Sequence, residues 1–109
     1  MTLRTIIAEG ATPPHGHYSH AAVQARYCLE QIAIILGAAG SSLRHVVKLN
    51  VHIADLSDWP EVNAVCAAMF GDHRPARIVA PCSGGLRLGS CIEMDVIAAC
   101  AMPTAMSEK

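Results

Sequence analysis

The chain has 109 residues, 52% of them apolar and only 16% charged, with a net charge of -1. That length gives one domain, which buries roughly 65% of the surface its unfolded chain would expose. The apolar content excludes intrinsic disorder. Eight Lys and Arg spread along the chain form no basic run, so a nucleic-acid partner is disfavoured. An average soluble domain carries roughly 25% charge, so the shortfall points to surface hidden in an oligomer. The longest apolar stretch, Ile32 to Ala39 with Gly37 inside it, is too short to span a membrane. Met1 to Ala11 contains Arg4 and Glu9 and lacks the apolar centre of a signal peptide. Five cysteines with no C-x-x-C pair read as free thiols in a reducing cytoplasm.

In chain order, Thr2 to Ala8 is rich in β-branched residues and predicts a strand. Gly10 to Gly16 is a Pro- and Gly-containing loop. Gln24 to Ala39 predicts a helix, with Leu29, Ile32, Ile35, Leu36 and Ala39 on one stripe and Gly40 as its stop. Val46 to Ile53 alternates as a half-buried strand: Val47, Leu49, Val51 and Ile53 on one face, Lys48, Asn50 and His52 on the other. Asp58 and Glu61 have capping-box spacing, with Pro60 in the first turn. The helix they open carries Val62, Val65, Cys66, Met69 and Phe70 on its inner face and stops at Gly71. Ala76 to Ala80 is a short strand, Pro81 to Ser90 a loop and Cys91 to Ala99 a strand. The β-α-β order predicts a parallel crossover. The fold class is α+β, two helices packed on one face of a mixed sheet. Residues 1–102 form the domain, and Pro103 to Lys109 a frayed tail.

Three places could carry chemistry. Arg77 sits in a strand otherwise made of Ala, Ile and Val. A guanidinium there either clamps a carboxylate through paired hydrogen bonds, forms an ion pair with Glu93 or Asp95, or lies exposed on an edge strand. Glu93 and Asp95 share one strand face. If that face is enclosed, one of them could handle a water proton; otherwise it is solvated. His15, His17 and His20 cluster, but their spacing matches no zinc motif. Cys28 and Cys66 fall on helix faces as core residues. Cys82 and Cys91 flank a glycine loop, with no basic neighbour that clearly activates them.

Together the motifs resemble the RidA/YjgF family of enamine/imine deaminases. The resemblance rests on Gly16-His17-Tyr18-Ser19-His20-Ala21, on Gly40-Ser41-Ser42-Leu43 running into Val46-Val47-Lys48, and on Asp58-Trp59 through Asn63, Phe70 and Gly71. It extends to Arg74-Pro75-Ala76-Arg77 and to Ile92-Glu93-Met94-Asp95-Val96-Ile97-Ala98. It implies a chorismate-mutase-like fold, a homotrimer, and ligand sites in clefts between subunits. It implies hydrolysis of small carboxylate-bearing 2-imino or 2-enamino acids to 2-keto acids and ammonia, without metal or cofactor. By the same resemblance Arg77 anchors the carboxylate, Glu93 positions water, and Tyr18 and Val79 line the pocket. Many deaminating members carry Cys where this chain has Val79. The alternative is a non-catalytic module that binds small carboxylates on the same scaffold. The family's older ribonuclease label is disfavoured by the near-neutral charge.

The family normally has two strands and an S-G-Q motif before the first helix. Here Val23 runs directly into Gln24-Ala25-Arg26, which shortens the fold by those two strands. Ser19 to Ala39 can then propagate as one helix of ~30 Å capped by Ser19. The other possibility keeps Tyr18 to Val23 as a strand with an open edge.

Overall fold

The computed structural model describes residues 19–82 and 86–100. The expected strand Thr2–Ala8, the loop Gly10–Gly16, Tyr18, His15, His17 and the tail Pro103–Lys109 lie outside the described residues. In chain order the elements are α1 (His20–Ala38), β1 (Val46–Ile53), α2 (Trp59–Phe70), β2 (Ala76–Pro81) and β3 (Ile92–Ala98). The strand order is β2-β1-β3. β1 pairs with β2 in parallel, Leu49 opposite Arg77 and Val51 opposite Val79. It pairs with β3 antiparallel, Val51 opposite Met94 and His52 opposite Glu93. The β1-α2-β2 crossover is therefore the parallel unit expected from the element order, and both helices cover one face of a mixed sheet. Among the described residues, no helix is long and apolar enough to cross a membrane.

α1 is a single helix. Ser19 caps it, its hydroxyl accepting the Ala22 N–H at 3.1 Å. Of the alternative strand over Tyr18–Val23, the described part is helical: once Ser19 satisfies a free N–H, residues 20–23 continue the helical ladder. The buried stripe is Ala21, Ala25, Cys28, Leu29, Ile32 and Leu36. Ile35 is 38% exposed, outside the stripe predicted for it; the buried face runs through Ala21, Ala25 and Cys28 instead. Gly40, at φ 75°, ends the helix. The Ser41 N–H reaches back to the Leu36 carbonyl and the Gly40 N–H to that of Gly37, the paired bonds of a Schellman turn. Gly40→Ala is expected to lower stability by about 1 kcal/mol in urea unfolding, since Ala resists that φ.

At α2 the capping-box expectation fails. Asp58 makes no side-chain cap bond, because its own backbone is already helical. Glu61 turns away and accepts the Ser19 N–H at 3.2 Å, joining the starts of the two helices. The core combines the α1 stripe with Val46, Leu49, Val51 and Ile53 from β1, Val62, Cys66 and Phe70 from α2, and Ile92 and Met94 from β3. Val46, not Val47, faces it, because a register irregularity lies between Val46 and Lys48. Among the described residues no element covers the opposite sheet face, where Ile78 is 51% and Ile97 57% exposed.

Candidate active site

Arg77 sits on β2, an edge of the described sheet, opposite Leu49 and therefore on the helix face. Three α2 residues at helical spacing surround it. Its Nη1 donates to Asn63 Oδ1 at 2.7 Å, and its guanidinium carbon lies 4.8 Å from the centre of the Trp59 ring. It also lies close enough to Cys66 to oppose the rise that burial imposes on that thiol's pKa. The side chain is solvent-exposed but held on two sides. Beside it opens a cleft of about 530 Å³ between α2 and β2, walled by Asn63, Phe70, His73, Arg74 and Arg77. Among the described residues two guanidiniums and no carboxylate line this cleft, which suits a small anion. Val79 lies on the same face two residues on, packed against the core.

Glu93 is on the other side of the sheet. Its register partner is His52, whose neighbours Val51 and Ile53 point to the helices, so Glu93 points away from them. It is half-buried and accepts the Arg87 N–H at 3.2 Å. Asp95 shares that face, exposed, and accepts from Asn50 Nδ2 at 2.7 Å. β1 separates β2 from β3, a distance of about 10 Å across two ladder spacings. Arg77 therefore pairs with neither acid, and one chain does not bring Arg77 and Glu93 together. Sequence reasoning did not mark Trp59 and Asn63 as Arg77's supports. The signal was the spacing of 59, 63 and 66 on one helix face.

Burial pushes the Cys28 thiol from 9.0 up to about 11, and the charge of Glu93 adds to the rise. In the unfolded chain that thiol ionises first, so above its ordinary pKa the unfolded state holds fewer protons. Stability is full below about pH 9 and is lost as pH rises toward about 11. Urea unfolding at pH 10.5 is expected to show about 2 kcal/mol less stability than at pH 8, with a shallower fall in Cys28→Ala. An equal fall in that variant would assign the loss to other groups.

The family model for endoribonuclease L-PSP matches residues 5–100. A RutC family protein of Pyrococcus horikoshii is 41% identical over 69% of this chain and 59% of its own length. Protein HMF1 of Saccharomyces cerevisiae is 32% identical over 90% of this chain and 95% of its own. The 3-aminoacrylate deaminase RutC of Acinetobacter baylyi is 43% identical over 56% of this chain and 48% of its own. Among solved structures, the Escherichia coli YjgF gene product superposes with a TM-score of 0.67 at 36% identity, over 71% of this chain and 62% of that one. E. coli TdcF with bound serine gives 0.68 at 31%, over 73% and 65%. The fold and its motifs define a small α+β protein of the YjgF type, a shortened chorismate-mutase-like fold. The chain belongs to the endoribonuclease L-PSP family, which the RidA/YjgF resemblance anticipated. It spans about three-fifths of the length of the Pyrococcus relative.

Proposed function

We propose that this chain hydrolyses small 2-imino or 2-enamino acids to 2-keto acids and ammonia, in clefts between the subunits of a cytoplasmic homotrimer. The observation that carries the reading is Arg77, braced by Asn63 and Trp59 on the wall of an anion-suited cleft. Its donors pair with the substrate carboxylate and orient the C=N carbon. Glu93 of another copy holds the attacking water and accepts its proton, and the nitrogen leaves as ammonia. An imine carbon is already electrophilic, so the step needs no cofactor. The deaminase named among the relatives supports the reaction class, and the serine-bound structure supports a small amino-acid-like ligand. The uncovered sheet face with Ile78 and Ile97 supports assembly, and five free cysteines support a reducing compartment. Tyr18 and Val79 remain pocket-lining candidates through the resemblance.

The test is ammonia release from a freshly generated 2-imino acid by the native chain. A rate above buffer is expected; a rate equal to buffer overturns the reaction. The second reading, a non-catalytic carboxylate-binding module, is favoured by the continuous α1, which runs from His20 through Gln24 without interruption where the family normally places two strands. Calorimetry showing carboxylate binding without turnover would select it.

A further inference from the structure

The cleft between α2 and β2 holds more than the anchor of one carboxylate. Its volume of about 530 Å³ falls within the ~300–1,000 Å³ of pockets that enclose ligands of many more atoms than a three-carbon acid. Arg77 holds one part of its wall, and Arg74 brings a second cation to the same cleft. Arg74 is exposed but tethered. Its Nη1 donates to the Gly71 carbonyl and, at 3.1 Å, to the His73 carbonyl. Gly71, at φ 64°, ends α2, so both acceptors lie just past that helix. Pro75 disfavours helical backbone at Arg74 and leads the chain, extended, into β2 at Ala76. A guanidinium has five N–H donors. Both of these bonds use Nη1, which leaves Nε and Nη2 for a ligand. Among the described residues, no carboxylate pairs with Arg74.

The rest of the wall is less polar. Ala67, Phe70 and Pro75 contribute apolar surface that suits methylene groups. His73 offers no donor through Nε2, which gives its proton to the Val46 carbonyl at 2.6 Å. The ligand that matches such a wall has a short apolar middle and a second negative group besides the carboxylate on Arg77. A purely aliphatic side chain would strip water from the Arg74 guanidinium and return no partner, which discriminates against it.

From these contacts we infer that the cleft selects 2-imino acids with a second carboxylate at the end of the side chain, and that Arg74 is the residue that reads it. The inference rests on the proposed reading of Arg77 as anchor of the first carboxylate. Arg77 takes the carboxylate next to the C=N carbon, and Arg74 takes the distal one through Nε and Nη2. Two fixed ends leave the C=N carbon one orientation. Arg74 touches none of the reacting atoms; its part is specificity. The product of such a substrate is a 2-keto dicarboxylate.

Keto acids persist in water where imines do not, so the selectivity can be read without turnover. Calorimetry on the native full chain compares 2-oxoglutarate with 2-oxopentanoate, five-carbon keto acids that differ only in the terminal carboxylate. The dicarboxylate is expected to bind about tenfold tighter at low salt, with a smaller preference at high salt. Arg74→Ala is expected to bring the ratio of the two affinities to about one, Arg74→Lys to keep part of it, and Arg77→Ala to weaken both acids. The wild-type comparison needs no variant to fold. Equal affinities in the wild type, or no binding of either acid, overturns the inference. So does an undiminished preference in a folded Arg74→Ala chain. Ammonia release from the two matching imines separates this from the reaction itself. A dicarboxylate preference in binding with no release from either imine overturns the hydrolysis and supports the selectivity. Release from both at equal kcat/KM overturns the selectivity alone.

Discussion

Arg77→Ala is expected to lower kcat/KM for imino-acid hydrolysis by about a hundredfold, the worth of a paired guanidinium–carboxylate contact near 3 kcal/mol. Among the described residues the cleft that Arg77 faces has no acidic side chain, so no carboxylate there competes with the substrate for its charge. Its two braces, Asn63 and the Trp59 ring, hold it before the substrate arrives. Arg77→Lys keeps the charge but loses the planar fork and most of the stacking, and an intermediate loss of about tenfold is expected. Steady-state ammonia release checks both, and a wild-type rate in Arg77→Ala would remove the anchor from the account. Since Arg77 is exposed on an edge strand, unfolding should not accompany the loss; a circular dichroism melt checks this.

Leu29→Ala is expected to cost about 3 kcal/mol in urea unfolding. Leu29 is fully buried at the centre of the α1 stripe, inside the cluster that holds β1 and β3. Its neighbours Ala21, Ala22 and Ala25 are already small and buried, so little side-chain volume can move into the cavity. A loss below about 1 kcal/mol would mean that α1 is not docked through this stripe.

What was legible in the residues follows from how local each signal is. β1 runs Val46–Ile53 with Leu49, Val51 and Ile53 inward as its alternation predicted, since a strand with one wet face writes its period directly, while the irregularity that turns Val46 inward in place of Val47 has no local signal. The end of α1 was legible in Gly40, whereas its start at Ser19 was one of two alternatives that the residues left open. The Asp58–Glu61 box was misread because the competing partner, the Ser19 N–H, comes from 42 positions away. Register carried the rest. Arg77 in an apolar strand was visible, but that it shares a face with Leu49 while Glu93 shares one with the His52 side depends on pairing. Likewise the imidazole 3.9 Å from the Cys82 thiol lies 30 positions back, beyond any local signal.

Because Arg77 and Glu93 point to opposite faces of one sheet, the proposed site draws them from different copies. Mixed assemblies test this most directly. Arg77→Ala and Glu93→Gln chains, each inactive alone, are unfolded together and refolded at equal amounts. Random assortment pairs an intact Arg77 with an intact Glu93 in about a quarter of the clefts. Recovery of about a quarter of the wild-type ammonia release is the predicted result. A mixture no more active than its separate components would contradict a site shared between subunits.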